Sequence, residues 1–296
     1  MVKILILPLA RSMTISLCAQ LSWVRGKIDK SCMDMILCVH SVDVGSSRYA
    51  IVRPVPDSYY RCVRTSCERI DVALAKRQHA EYCRELQNLG LELIWVKGDN
   101  DLPDSCFVED TAVVFGEKAV ICNMRVKSRK EEIAEVAKVL KQFKEIHYIT
   151  PPATVDGGDV LRIEDTVLVG MSARTDSHAV GQLRRILKDS MISVVPVEVH
   201  NALHLKSACT YLGNGFVVLS EGCFETDVLQ AKKRIVVPKG EEYAADCLAI
   251  NGTVLLARGH TKTKRLIERE GFPVVELDLS EFRKGDGALT CLSIIW

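Results

Sequence analysis

The sequence lacks a membrane-spanning segment and a dominant charge. No apolar run reaches the roughly 18 residues that a spanning helix needs, and the longest early run is ILILPLA at 4–10. Lys and Arg number 39 against 38 Asp and Glu, whereas nucleic-acid-binding proteins usually carry a clear basic excess. These absences favour a small molecule as the partner, with no nucleic acid and no membrane, and they leave the oligomeric state open.

Paired cysteines are also absent. The 12 cysteines are scattered and none forms a CxxC pair, which argues against both a disulfide framework and a zinc ribbon. Reduced, mostly buried cysteines are expected, as in a cytoplasmic protein. The first 28 residues contain no Asp or Glu, a composition that resembles an organelle transit peptide. We therefore predict a poorly ordered extension over 1–47, with organelle targeting as the alternative to a purely cytoplasmic location.

The remaining chain is built from a repeated unit, in which a polar or Gly-rich entry is followed by two strands joined by a tight turn. Its copies lie at 107–122, 155–171, 204–220 and 243–260. A helix and a further strand are predicted between copies, as in the first spacer, where EIHYIT at 145–150 forms the strand.

Helix signals support this α/β arrangement. In the first spacer, Ser128 and Glu131 have the spacing of a capping box before an apolar helical face. A long amphipathic helix is predicted between Val72 and Leu89, with Gly90 at the position of a C-terminal cap.

A fifth entry, GDGALTCLSIIW, ends the chain after a single strand. Its missing partner is predicted to be RYAIVRPV at 48–55, near the beginning. Five ββαβ modules joined in this way close into a ring without exposed sheet edges. The sequence therefore predicts one catalytic domain over 48–296, an α/β fold in which five modules form a five-bladed β/α propeller with pseudo-five-fold symmetry.

Such a ring brings the entries together near its axis. They carry Cys291, His204 and Asp156, which suit a thiolate nucleophile, a general acid/base and a carboxylate that orients the histidine. Glu109 and Asp110, with Asp104 nearby, would form an anionic pocket for a planar guanidinium. A bound guanidinium would also stabilise the thiolate.

Each of these residues also has a structural interpretation when it is taken alone. His204 lies between two leucines and could belong to the core, whereas FVED could end a strand in solvent. A zinc site is disfavoured because no second Cys or His stands at ligand spacing. We assign no metal.

Four motifs occur in order over 48–296: LPDSCFVEDTAVV, VDGGDVL, LHLKS and GALTCLS. In this order they resemble the dimethylarginine dimethylaminohydrolases of the guanidine-modifying, or pentein, superfamily. The resemblance implies a five-fold β/α propeller that needs no cofactor and that hydrolyses Nω-methylated arginines to citrulline and methylamines. It also implies a place in arginine metabolism and in nitric oxide regulation.

The resemblance makes Cys291 the nucleophile, His204 the acid/base and Asp156 its orienting carboxylate. It assigns the remaining matched positions to substrate binding: Glu109 and Asp110 at the guanidinium, Asp104, Arg129 and Arg174 at the amino-acid end, and Asp286 in the turn before the nucleophile. Arg129 has a competing interpretation as a solvated arginine in a helical first turn. Leu292, where family members often have a second cysteine, should face away from the site because strand residues alternate.

Two alternatives keep the pocket but change its use. An arginine or agmatine deiminase would use the same nucleophile and release ammonia, although the arginine deiminases have an extra helical segment that these short spacers cannot hold. A non-catalytic guanidine-binding protein would bind without turnover. A comparison of arginine, agmatine and methylarginines as substrates distinguishes all three.

Overall fold

A computed structural model describes residues 47–296. The prediction for 1–47 concerns residues that lie, except for Ser47, outside this range, and it stays a prediction. Within 47–296, no helix has both the length and the apolar character that crossing a bilayer would require.

The described chain begins with a strand, a helix and a second strand: β1 (Tyr49–Val52), α1 (Val72–Asn88) and β2 (Glu92–Trp95). The Asp71 carboxylate caps α1 by accepting from the backbone N of Leu74. Gly90 follows the helix with φ +91, a conformation that favours glycine. The long helix and its Gly90 end are as the sequence predicted.

The first complete module contains β3 (Ala112–Phe115), β4 (Lys118–Ile121), α2 (Ile133–Leu140) and β5 (Glu145–Tyr148). Strands β3 and β4 are antiparallel, and β4 and β5 are parallel.

The capping box predicted at Ser128 and Glu131 is wrong. Residues Lys127–Glu132 form a 3-10 helix, and α2 begins only after it. Arg129 and Glu132 in this turn point inward and bond to each other, so the turn serves the interior of the ring rather than the helix end.

The next two modules repeat the strand pattern. The second module contains β6, β7, α3 and β8, at Val160–Ile163, Thr166–Met171, Ser177–Ile186 and Ser193–Glu198. The third contains β9, β10 and β11, at Cys209–Gly213, Phe216–Leu219 and Lys233–Val236. In the third module only a short 3-10 helix, Thr226–Val228, occupies the place of the α-helix.

The fourth module contains β12, β13, α4 and β14, at Leu248–Ile250, Thr253–Ala257, Thr261–Arg269 and Val274–Leu277. A short helix α5 (Ser280–Arg283) leads to the last strand, β15 (Ile294–Ile295).

Strand β15 closes the ring by pairing with β1. The two strands are antiparallel, with Ala50 opposite Ile295 and Ile51 opposite Ile294, and β1 in turn is parallel to β2. The fifth module is thus assembled from both ends of the described chain. The predicted five-module β/α propeller is confirmed, with five separate three-stranded sheets.

The core is divided among five clusters, and each cluster lies between two neighbouring modules. The middle strand of every module contributes residues to the clusters on both sides, because successive strand residues face opposite ways. These adjacent pairs are Ile51 and Val52, Ala119 and Val120, Val167 and Leu168, Val217 and Val218, and Val254 and Leu255. All ten side chains are at most 1% exposed, so apolar burial between modules holds the ring closed.

Candidate active site

The module entries meet at the ring axis, on the side where the chain enters each first strand. There they surround a small cavity of about 20 Å³. Its lining includes seven of the residues predicted for the site: Asp104, Asp110, Arg129, Arg174, His204, Asp286 and Cys291. The predicted residues therefore come from four of the five modules into one cavity.

His204 lies between two buried carboxylates. Its Nε2 is 3.2 Å from Asp156 Oδ2, and its Nδ1 is 3.8 Å from Asp110 Oδ1. Burial opposes a positive charge on the imidazole, but Asp110 and the hydrogen bond to Asp156 outweigh it and raise the pKa of His204 to about 9. The histidine is therefore held as imidazolium at neutral pH and is prepared to donate a proton.

His204, Asp110 and Asp156 form a compact cluster of titratable side chains. One carboxylate oxygen of Asp110, one of Asp156 and one ring nitrogen of His204 all lie within 4.8 Å of one another. Asp156 Oδ1 is buried and has no hydrogen-bond partner among the described residues.

Asp110 is fixed by Arg129. Arg129 Nη1 lies 2.6 Å from Asp110 Oδ2, and the backbone N of Gly158 donates to Asp110 Oδ1 at 3.1 Å. Although burial favours the neutral acid, His204 and Arg129 lower the pKa of Asp110 to about 2. Asp110 is thus a carboxylate at all physiological pH values.

Arg129 is buried, and its interpretation as a solvated surface arginine is wrong. It is 4% exposed. Beyond Asp110, it donates to both carboxylate oxygens of Glu132 and to the backbone oxygen of Phe107. Most of its donors are therefore used inside the protein, where they hold the first entry in place.

Two glycines allow the first three entries to approach one another. A Cβ on Gly157 would collide with the backbone oxygen of Glu109, and one on Gly158 would lie 2.7 Å from His204 Nδ1 and 2.9 Å from Asp110 Oδ1. The DGG sequence is therefore more than a common turn composition, because no side chain fits at either position.

Cys291 lies in a 3-10 helix, Thr290–Leu292, just before β15. The backbone N of Ala288 is 3.5 Å from its sulfur. Burial raises the pKa of the thiol well above its ordinary value, and nearby carboxylates raise it further. Leu292 is fully buried in a core cluster and does not line the cavity.

Asp104 and Asp286 both bond to the segment at 63–65. The backbone N of Val63 donates to Asp104 Oδ1 at 3.0 Å, and Thr65 donates to Asp286 through its backbone N at 2.5 Å and its hydroxyl at 2.8 Å. Burial raises the pKa of Asp104. Val63 of this segment lines the cavity, and the segment engages two of the predicted substrate-binding carboxylates.

Glu109 is placed differently from its neighbour Asp110. Its Oε1 is 2.5 Å from Lys206 Nζ, and its Oε2 accepts from the Thr290 hydroxyl at 2.9 Å. It lines a second, larger cavity of about 290 Å³ that is surrounded by the first strands of the five modules. Among the described residues, Asp110 rather than Glu109 lines the Cys291 cavity.

Arg174 lines the cavity beside His204, and its Nη1 is 3.5 Å from Asp156 Oδ2. Its side chain is 16% exposed, so part of the guanidinium is open to the cavity.

Three further residues, the buried Glu132 and Asp246 and the partly buried Lys206, join the site without having been assigned a role from the sequence. Lys206 pairs with Glu109, Glu132 pairs with Arg129, and Asp246 accepts from the backbone N of Thr290 at 3.2 Å. Lys206 stands inside LHLKS and Glu132 is three residues after Arg129, a helical pairing distance. Asp246 belongs to the fourth entry, YAADC, so its position in the repeat could have identified it as a site residue.

Comparisons with known proteins agree with this geometry. A family model described as arginine deiminase matches residues 97–242. An N(G),N(G)-dimethylarginine dimethylaminohydrolase of Streptomyces coelicolor is 38% identical over 229 residues, which cover 77% of this chain and 88% of the relative. The chain belongs to the dimethylarginine dimethylaminohydrolase family.

Solved structures of this family superimpose over the whole ring. A dimethylarginine dimethylaminohydrolase adduct with S-methyl-L-thiocitrulline has a TM-score of 0.82 and 30% identity, covering 84% of this chain and 100% of that chain. The Pseudomonas aeruginosa enzyme, a variant complexed with citrulline, has a TM-score of 0.80 and 28% identity, covering 85% and 100%. The resemblance stated from the four motifs is confirmed.

Proposed function

We propose that this protein hydrolyses asymmetric dimethylarginine and monomethylarginine to citrulline and the corresponding methylamine. One observation carries the proposal: Cys291 and His204 share a cavity with the carboxylates Asp104, Asp110 and Asp286, and Asp156 supports the histidine from behind. Membership of the dimethylarginine dimethylaminohydrolase family supports it, and so does the relative that holds citrulline.

In this proposal Asp110 and Asp286 bind the substrate guanidinium. Both line the Cys291 cavity, and a carboxylate pairs well with a planar cation. Glu109, predicted from the sequence as a partner of Asp110, acts on the reaction only through its bonds to Lys206 and Thr290. The amino-acid end of the substrate is bound by Asp104, by Arg174 and by the donor of Arg129 that is not used inside the protein.

Substrate binding activates the nucleophile. In the free enzyme, burial and surrounding carboxylates keep the Cys291 thiol protonated. A guanidinium brought beside the sulfur supplies the missing positive charge, which lowers the energy of the thiolate. The thiol proton then passes to solvent water, because His204 is already protonated, and the thiolate forms only when there is a carbon to attack.

The first half-reaction forms a carbon–sulfur bond and breaks a carbon–nitrogen bond. The thiolate attacks the guanidinium carbon to give a tetrahedral adduct. His204, an imidazolium with a pKa of about 9, donates a proton to the departing nitrogen. The methylamine leaves, and an S-alkyl thiouronium remains on Cys291.

The second half-reaction reverses the role of the histidine. Neutral His204 takes a proton from a water molecule that attacks the thiouronium carbon. The carbon–sulfur bond then breaks, the remaining hydroxyl proton of the adduct passes to the departing sulfur to restore the thiol, and citrulline is released. Asp110 and Asp156 stabilise the imidazolium that is regenerated.

The test is a citrulline assay with asymmetric dimethylarginine, monomethylarginine, arginine and agmatine as substrates. Wild-type protein should turn over the methylarginines, and Cys291→Ala should lose this activity with its fold intact. Cys67→Ala, at an exposed cysteine, is the control and should be fully active. Turnover of arginine or agmatine alone would favour a deiminase, and binding without citrulline would favour a non-catalytic protein.

We also propose a cytoplasmic location. All cysteines in the described residues are free, and most are buried, which suits a reducing compartment. Fractionation of cells with an antibody to residues 48–296 tests this, and recovery in an organelle fraction would contradict it.

A further inference from the structure

The fourth module also places a buried titratable residue at the ring axis, the acid Asp246, which has no part in the mechanism proposed above. Asp246 is 3% exposed and lies just before β12. It occupies the entry that corresponds to those of Asp110, Asp156, His204 and Cys291. Burial of a carboxyl group in this way is unfavourable unless hydrogen bonds or a function compensate for the lost hydration.

The backbone around Asp246 is held rigidly by the third module. The Thr210 hydroxyl is 2.8 Å from the carbonyl oxygen of Ala245 and 3.0 Å from that of Cys247. The backbone from which the Asp246 side chain extends is therefore held in place on both sides.

The fourth entry in turn holds the loop that carries the nucleophile. Asp246 Oδ1 accepts from the backbone N of Thr290 at 3.2 Å, and the Tyr243 hydroxyl donates to the carbonyl oxygen of Gly287 at 2.8 Å. These two bonds lie on either side of the turn into Cys291. The fourth module thus fixes where the sulfur stands.

The charges around Asp246 do not balance. Glu109 from the first entry and Lys206 from the third form an ion pair with each other. Asp246 remains as an additional acid beside them, and its other titratable neighbours are Tyr243, Cys247 and Cys291. Burial and the nearby Glu109 raise the pKa of Asp246 to about 8.

We infer that Asp246 is a positioning residue for Cys291: its carboxyl group holds the nucleophile loop through Thr290, and it competes with the thiol for a single negative charge. The competition for the negative charge keeps Cys291 protonated until a cationic substrate is bound. The raised pKa of the Cys291 thiol supports this competition, because after burial Asp246 is its largest cause, ahead of Glu109 and Asp110. Two acids that share a buried site lose their protons one after the other.

The inference rests on the proposed role of Cys291, but it can be tested without turnover. Cys291 is labelled with iodoacetamide between pH 6 and 10, and its peptide is quantified by mass spectrometry. Asp246→Asn keeps an acceptor oxygen for Thr290 and removes the charge. We expect the pH of half-maximal labelling rate to fall by about 1 to 2 units in this variant.

Glu281→Gln is the matched control. Glu281 is also 3% exposed, but it pairs with Lys284 next to α1 and should leave the labelling profile unchanged. An unchanged profile in Asp246→Asn would overturn the inference. Asp246→Ser removes the same charge with a smaller side chain, and it replaces Asp246→Asn if that variant does not fold. Failure of both to fold would also overturn the inference, because Asp246 would then be a structural residue.

The two proposals fail in different ways. If wild-type protein forms citrulline but the labelling profiles are identical, only the role of Asp246 is lost. If the profiles differ as expected but no citrulline forms, the proposed function is lost and the control of the thiol by Asp246 stands.

Discussion

His204 Nε2 lies 3.2 Å from Asp156 Oδ2, and both side chains are buried at the centre of the ring. Asp156 thereby fixes the plane of the imidazole and helps to keep it protonated. The carboxylate acts through the histidine, since it does not line the cavity that holds Cys291.

Replacing Asp156 with asparagine should slow citrulline formation by about 10²- to 10⁴-fold, the range over which general acid–base catalysis contributes. The amide keeps the shape of the side chain but removes the charge that favours imidazolium. Steady-state kinetics with asymmetric dimethylarginine measure the effect. Asp165→Asn, in the exposed turn between β6 and β7, should remain active, and equal rates for the two variants would contradict the role of Asp156.

The raised pKa of His204 also predicts a pH-dependent contribution to stability. The pKa is about 9 in the folded protein against 6.5 for an ordinary histidine, a difference worth on the order of 3 kcal/mol. Because the folded state binds the proton more tightly, this stabilisation is complete below about pH 6.5 and is lost as the pH rises through 9.

Urea unfolding of wild-type protein and His204→Gln measures this contribution. The difference in free energy of unfolding between them should be largest near pH 6 and should shrink towards pH 9.5. A difference that stays constant, or grows with pH, would show that His204 is not held as imidazolium.

Lys206→Met should destabilise the protein by about 3 kcal/mol, because it leaves Glu109 buried near Asp246 without the lysine charge. The double variant Glu109→Gln/Lys206→Met should recover much of this loss, as the unpaired charge is gone. Thermal or urea unfolding provides the measurement. Lys264→Met breaks a more exposed pair with Glu276 and should change stability by less than about 1 kcal/mol.

Gly157→Ala should prevent correct assembly of the entries, since its Cβ would collide with the backbone oxygen of Glu109. A backbone atom cannot move aside as a flexible side chain can. Gly181→Ala in α3 has nothing within 4 Å of its added Cβ and should stabilise the helix by about 0.5 to 1 kcal/mol. Similar melting temperatures for the two variants would contradict the close packing at Gly157.

Much of the ring could be predicted from local patterns. Consecutive apolar residues in the middle strands require two buried faces, and in pairs such as Val217 and Val218 each residue packs into a different cluster. The repeat spacing and the unpaired last strand then predict closure through β1. The capping box at Ser128 failed because Arg129 and Glu132 in the same turn have stronger partners inside the ring.

The sequence by itself determined the modules, the closure of the ring and the kinds of side chain at its axis, because these depend on periodicity and on residue type. Only the tertiary structure decided which way each axial side chain faces. Glu109 and Asp110 are neighbours in one short turn, yet Lys206 holds the first towards the large cavity and Arg129 holds the second beside His204. Their directions depend on cations from other parts of the chain, and no local pattern contains that information.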